Sequence, residues 1–293
     1  MDIVNYFDLN QESINPPDLY LGGRMRQLEL DNGVKSWAFR SSKYVQDAVK
    51  NVEEYLNNYG KKSLPTKGHM NPLTSNYRPE IYLSPELEPQ YRSYYQSLIG
   101  IIRWIVELGR VDICVEVSMM SSHVALPIQG HFEQVLHIFG YVKNHHNAEM
   151  VFDSTKPDID MSLFKKQDWS HTIYGELNKY MSANAPPACG RGMRMAVMVD
   201  LDHSGESLTC QSRTGYIIFL NGSPMYWFSK KIPSIDTSTF GAEFCAMKQA
   251  AEYVCGMRYK LRMMGLPCDE PTYVYGENQT VLANTSAPRI PIE

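Results

Sequence analysis

Beyond residue 193, the order of apolar segments and turn signals constrains the fold more than any other feature of the chain. Residues 195–200 form an apolar strand and residues 214–220 a second. Asn221-Gly222 is a strong two-residue hairpin turn, and residues 224–229 return as a third strand. A long helix is predicted over roughly 239–264, with Phe244, Met247, Ala251 and Val254 on one face and Gly265 closing it. Pro267, which has no N–H to donate, prevents its continuation. Residues 271–275 are short and β-prone, and another helix can begin at Gln279. The order β, β, β, α, β, α predicts an α/β unit with a mixed sheet and flanking helices.

Upstream the pattern is different. Residues 24–30 and 36–39 read as two short strands around Asp31-Asn32-Gly33, a hairpin. Val45, Ala48, Val49, Val52, Tyr55 and Leu56 recur at helical spacing, with Gly60 as terminator. Pro65, Pro72, Pro79, Pro85 and Pro89 punctuate an extended surface loop. Leu98, Ile101, Ile102, Ile105 and Leu108 make one broad apolar helical face, and Phe132, Val135, Leu136, Phe139 and Val142 another. A helical stretch over about 112–123 joins them. The Pro/Gly-rich residues 185–192 end a weakly periodic stretch suited to linking. The division is therefore 1–150, a linker over 151–192, and 193–293.

Charge and cysteine usage exclude several classes. The net charge of −4 gives no overall basic field, so any nucleic-acid binding must be local. The six cysteines form no C-x-x-C pair and no zinc grouping, which points to free thiols in a reducing compartment. His123, His131, His137, His145 and His146 suit no standard metal spacing and read as surface or helix-capping residues. The first ten residues lack a signal-peptide pattern, and no run is long and apolar enough to span a membrane. The expectation is a soluble intracellular protein, cytoplasmic or nuclear, with no membrane partner.

Three element ends in the last third carry carboxylates: Asp200 closing the first strand, Glu243 in the first turns of the long helix, and Glu277 just after the fourth strand. Carboxylates are hard oxygen ligands suited to Mg²⁺ or Mn²⁺, and a pair of such ions can activate water against a phosphodiester. The alternative is three ordinary solvated acids among 32 Asp and Glu residues. Asp200 follows a wholly apolar run, and Glu243 lies beside Phe240 and Phe244, where a lone charge is costly. Lys230, Lys231, Arg258, Lys260 and Arg262 are available either to contact phosphates or to solvate a helix end.

Val199-Asp200-Leu201-Asp202-His203-Ser204-Gly205, then Ser212-Arg213-Thr214-Gly215-Tyr216, resemble the ribonuclease H region of copia-type retrotransposon polyproteins. Residues 226–231 (YWFSKK), 238–244 (STFGAEF) and 275–279 (YGENQ) look like the motifs that follow in that family. Upstream, residues 20–23 (YLGG), 94–100 (YYQSLIG) and 110–113 (RVDI) resemble the reverse transcriptase segment after its catalytic loop. The resemblance spans nearly the whole chain. It implies a ribonuclease H-like domain at 193–293, preceded by the palm end, thumb and connection of a reverse transcriptase.

The implied activity is Mg²⁺-dependent cleavage of RNA in RNA/DNA hybrids by Asp200, Glu243 and Glu277, with Asp202 as a supporting ligand or a solvated acid. Arg213, Lys230, Lys231, Asn278 and Gln279 are the implied nucleic-acid contacts, and other Pol polyprotein segments the implied partners. The Tyr-Val-Asp-Asp polymerase loop does not occur, so polymerase activity is not implied. The family has Asp where this chain has Glu277, and its last acidic residue is expected beyond Glu293. Both departures point to weak or lost cleavage. A non-catalytic nucleic-acid-binding module and a functionless decayed transposon remnant are the competing readings.

Overall fold

The structure, a computed structural model, describes residues 16–59, 63–64, 69–164, 167–172 and 183–288. The first ten residues, Gly60 and Pro65, on which sequence expectations rest, lie outside them.

The hairpin forms as its turn chemistry requires. β1 (Leu19–Tyr20), β2 (Gly23–Glu29) and β3 (Lys35–Arg40) are antiparallel, with Glu29 opposite Lys35. At the tip, Asn32 Oδ1 accepts from the Val34 N–H at 3.0 Å, the side-chain brace typical of Asn in turns. Four helices follow: α1 (Ser42–Asn58), α2 (Pro89–Glu107), α3 (Cys114–Ser121) and α4 (Gln129–Asn144), with a 3-10 turn over Val111–Ile113 leading into α3. The apolar faces read from the sequence form the first core. Val45, Val52, Leu56, Leu98, Ile102, Ile105, Phe132, Val135, Phe139 and Val142 are all buried in it. Each contributes about 1.5–3 kcal/mol relative to exposure. His131 acts as a helix cap: its Nδ1 accepts from the Ile128 N–H at 3.3 Å.

Arg110 and Asp112 enter the same layer. The Arg110 side chain is 2% exposed, and its guanidinium grips Asp112 through Nε at 2.8 Å and Nη2 at 2.7 Å. Tyr141 donates a further hydrogen bond to Asp112. Burial pushes the Asp112 carboxyl up, but Arg110 and Tyr141 outweigh it and hold it below the usual carboxylate range.

A strand that the sequence conceals crosses the expected boundary at 150. β4 (Met150–Phe152) pairs antiparallel with β3 and completes a sheet of order β1-β2-β3-β4. Three residues are too few to show a period, and the partner strand lies more than a hundred residues away. Nor is the following segment a free linker. The Ser223 hydroxyl donates to the Asp153 carbonyl at 2.7 Å, and Arg194 Nη1 donates to the Pro157 carbonyl at 2.6 Å. The Phe164 ring packs edge-on against Tyr273.

The second sheet contains β5 (Met195–Asp202), β6 (Arg213–Leu220), β7 (Ser223–Lys231) and β8 (Tyr273–Tyr275), and α5 (Thr239–Met263) and α6 (Gln279–Ser286) complete the unit. The strand order is β7-β6-β5-β8, with β5 antiparallel to β6 and parallel to β8. Asn221 adopts φ +53°, as the hairpin turn demands. Helix α5 starts at Ser238, whose side chain accepts from the Gly241 N–H, and ends in a Schellman closure at Gly265, φ +78°. There the Leu266 N–H reaches the Leu261 carbonyl, and the Gly265 N–H reaches that of Arg262.

The face of α5 that meets the sheet shares Val254 with the predicted one and is otherwise offset from it. Ala242, Ala246, Ala250, Val254 and Leu261 are buried, whereas Phe244 is 42% exposed and Ala251 lies outside. Small side chains bring the helix close to β5, and the larger residues are displaced outward. The units meet where α3 lies on β7: the Ser118 hydroxyl donates to the Ser229 carbonyl at 2.8 Å, and Arg213 donates to Ser118.

Candidate functional site

Alternation along β5 decides which way its acids face. Met195, Val197, Val199 and Leu201 are buried against α5, so Met198, Asp200 and Asp202 stand on the opposite, exposed face. The strand runs to Asp202, so Asp200 lies within it rather than closing it. Its Oδ1 accepts from the Leu201 N–H at 2.8 Å. Glu243 is half-buried one turn into α5, and Glu277 is exposed two residues beyond β8.

Two of the predicted acids, Asp200 and Glu277, act on the third, Glu243. Burial pushes the Glu243 carboxyl above its usual range, the negative charges of Asp200 and then Glu277 push it further, and His203 opposes them. A strand, a helix start and a post-strand loop thus supply acids whose charges meet at Glu243. His203 joins this group although the sequence reading gave it no role. The available signal was its place directly after Asp202 in the first motif. Among the described residues, no three His, Cys, Asp or Glu side chains are gathered closely enough to hold a metal ion between them.

A raised folded-state carboxyl costs stability once it ionises. Glu243 binds its proton more tightly when folded, so stability is greatest below the ordinary glutamate range and falls as pH rises through its folded value. Glu243→Gln is therefore expected to raise the melting temperature at neutral pH and not at acidic pH. Thermal melts of both proteins across that range check this, and equal slopes would contradict it.

The other predicted residues are mostly committed elsewhere. The Asp202 carboxylate curls over Gly205, occupying the space that a Cβ there would need. It lines a polar cavity with Arg78, Glu80, His123, Glu206 and Arg213. Burial pushes the His123 imidazole down to about 4, and the like charge of a protonated His131 acts in the same direction. The Arg213 guanidinium is occupied by Ser118, and Lys231 pairs with Glu206 at 2.9 Å. Asn278 caps α6, its Oδ1 accepting from the Val281 N–H at 3.1 Å. Lys230 and Gln279 are exposed, as is Lys260 further along α5. Arg258 braces the turn before β8 through the Glu270 carbonyl and Thr272, and Arg262 pairs with Asp269. All six cysteines are free thiols.

Over 187 residues, or 63% of its length, the chain is 20% identical to the retrovirus-related Pol polyprotein from transposon RE1 of Arabidopsis thaliana. It is 19% identical, over the same length, to the polyprotein from transposon RE2 of that plant. The chain is similar to retrotransposon Pol polyproteins. It spans 10% of the length of these relatives, a Pol-like region within a much larger chain. No family model and no solved structure matches it. Among the described residues, no helix is long and apolar enough to cross a membrane.

Proposed function

We propose that this Pol-like region is of copia type and carries a ribonuclease H centre that cuts the RNA strand of an RNA/DNA hybrid. The observation that carries the reading is that the charges of Asp200 and Glu277 both act on Glu243, the three acids being supplied by separate elements of one mixed sheet-and-helix unit. Its support is the ordered motifs around these acids together with the Pol similarity.

The donor chemistry of Asp200, Glu243 and Glu277 suits Mg²⁺, since carboxylates are hard oxygen donors and Mg²⁺ needs only one or two of them plus water and substrate phosphate. Bound there, the ion supplies charge neutralisation at the phosphodiester and an activated water. Asp200 and Glu277 would hold it from the exposed side, and Glu243 from the helix start. Lys230 and Gln279, both exposed, would meet the backbone and the groove of the hybrid, where 2′-hydroxyls mark the RNA strand. The remaining Pol segments would hold the rest of that duplex. Binding without turnover is the weaker reading, because Lys231 pairs with Glu206 and Arg213 is held by Ser118 inside the molecule.

The test is a hybrid labelled separately on each strand and incubated with the chain and Mg²⁺. The RNA label is expected to shorten while the DNA label stays intact, and a chelator is expected to stop the reaction. Glu277→Asp is expected to cut faster, because a misplacement of about 1 Å can cost on the order of 10²-fold. Uncut RNA with both the chain and Glu277→Asp at saturating Mg²⁺ would overturn the reading.

A further inference from the structure

The exposed face of the second sheet carries two side-chain rows of opposite character. Trp227, Ile217, Met198 and Tyr275 stand directly opposite one another on four successive strands, forming an apolar row. The next row along the strands is Ser229, Gly215 and Asp200, continued by Glu277 beyond β8. Helix α3 and the turn before it cross above this face, and Val111, Cys114 and Val115 form the opposing wall. A groove of about 480 Å³ remains between them, within the range of sites that enclose small organic ligands.

The composition of this groove selects its occupant. Tyr275 and Trp227, the latter partly buried against the first core, offer aromatic surface, and Met198 is 54% exposed beside them. Among the described residues, Asp200 and Glu277 are the only charged ones that line the groove, so it presents two negative charges beside an apolar floor. Anions are repelled there, and a neutral apolar molecule leaves the acids uncompensated. Gly215 keeps the floor open between the two rows: a Cβ at this position would meet only the Phe228 carbonyl, at an ordinary 3.6 Å.

We propose that the groove between α3 and the open face of the second sheet is a binding site for a flat aromatic cation. The ring system lies along the Trp227 row, and the positive end lies against Asp200 and Glu277. Cation–π attraction and ring stacking add to the charge pairing. The site does not depend on the nuclease reading, since neither a metal nor a nucleic acid takes part.

The probe is 9-aminoacridine, cationic at mildly alkaline pH, compared with acridine, its neutral counterpart, by calorimetry on the whole chain without Mg²⁺. The expected result is one site per chain for 9-aminoacridine and none measurable for acridine. Asp200→Asn and Glu277→Gln are each expected to weaken binding about fivefold, the upper value for an exposed ion pair. Gly215→Val, which fills the floor with a residue suited to a strand, is expected to abolish binding while leaving the melting temperature within a few degrees of the parent. Equal binding of both probes, binding by neither, or affinity unchanged in the two acid variants would overturn the proposal. So would undiminished binding by a folded Gly215→Val protein. Because hybrid cleavage is not measured, a failure here leaves the nuclease reading standing, and the converse holds.

Discussion

Asp200→Asn is expected to lower Mg²⁺-dependent cleavage of an RNA/DNA hybrid by at least roughly 100-fold, the upper end of the cost of losing even a supporting partner at a metal site. The substitution keeps the shape of the side chain and removes the charge. Because Asp200 is exposed and its recorded hydrogen bond is to the neighbouring Leu201 N–H, folding is expected to be unaffected. Relief of the charge acting on Glu243 should, if anything, raise the melting temperature. Single-turnover rates and melting curves measured on the same preparation separate the two effects. A loss of rate with a parallel loss of stability would assign Asp200 a structural role instead.

The second large effect is on stability and lies far from the acids. Asp112→Ala leaves the Arg110 guanidinium, with its side chain 2% exposed, without the carboxylate that now takes two of its hydrogen bonds. Removing one partner of a buried pair costs about 3–5 kcal/mol, and the partial exposure of Asp112 reduces this to about 2–4 kcal/mol. The Asp112 carboxyl is held low in the folded protein, so the stability it contributes is present at neutral pH and lost as pH falls through its folded value. Urea unfolding of the parent and the variant should therefore differ most at neutral pH and converge in acid. A second change, Arg110→Met, should recover much of the loss. No recovery would mean that the pair stabilises through its surroundings rather than through charge compensation.

Elements with a full period or a turn signature were readable from sequence. The helical faces of α1, α2 and α4, the Asn221-Gly222 hairpin and the Gly265 stop all stand where spacing and turn chemistry put them. What escaped was set by distant partners. β4 is a strand only because β3 offers an edge, and Asp153 and Pro157 are held by hydrogen bonds from Ser223 and Arg194 of the second unit. The buried face of α5 was misread because apolar size pointed to Phe244, whereas close approach to a sheet selects Ala242, Ala246 and Ala250.

The site divides in the same way. Element ends located Glu243 and Glu277, and the alternation of β5 explains why Asp200 faces out. That Arg213 and Lys231 turn inward depends on Ser118 and Glu206, and no local pattern in the sequence carries that information.

In the proposed centre, Asp200, Glu243 and Glu277 form one ion-holding group completed by substrate phosphate. No three ligating side chains among the described residues are already close enough to hold an ion without it. Calorimetric titration of Mg²⁺ into the chain, alone and bound to a hybrid whose RNA strand is made uncleavable by 2′-O-methylation, tests this most directly. The account predicts weak uptake by the chain alone, saturable uptake in the complex, loss of that uptake in Asp200→Asn, and weakening in Glu243→Gln and Glu277→Gln. Equal Mg²⁺ uptake by all four complexes would contradict it.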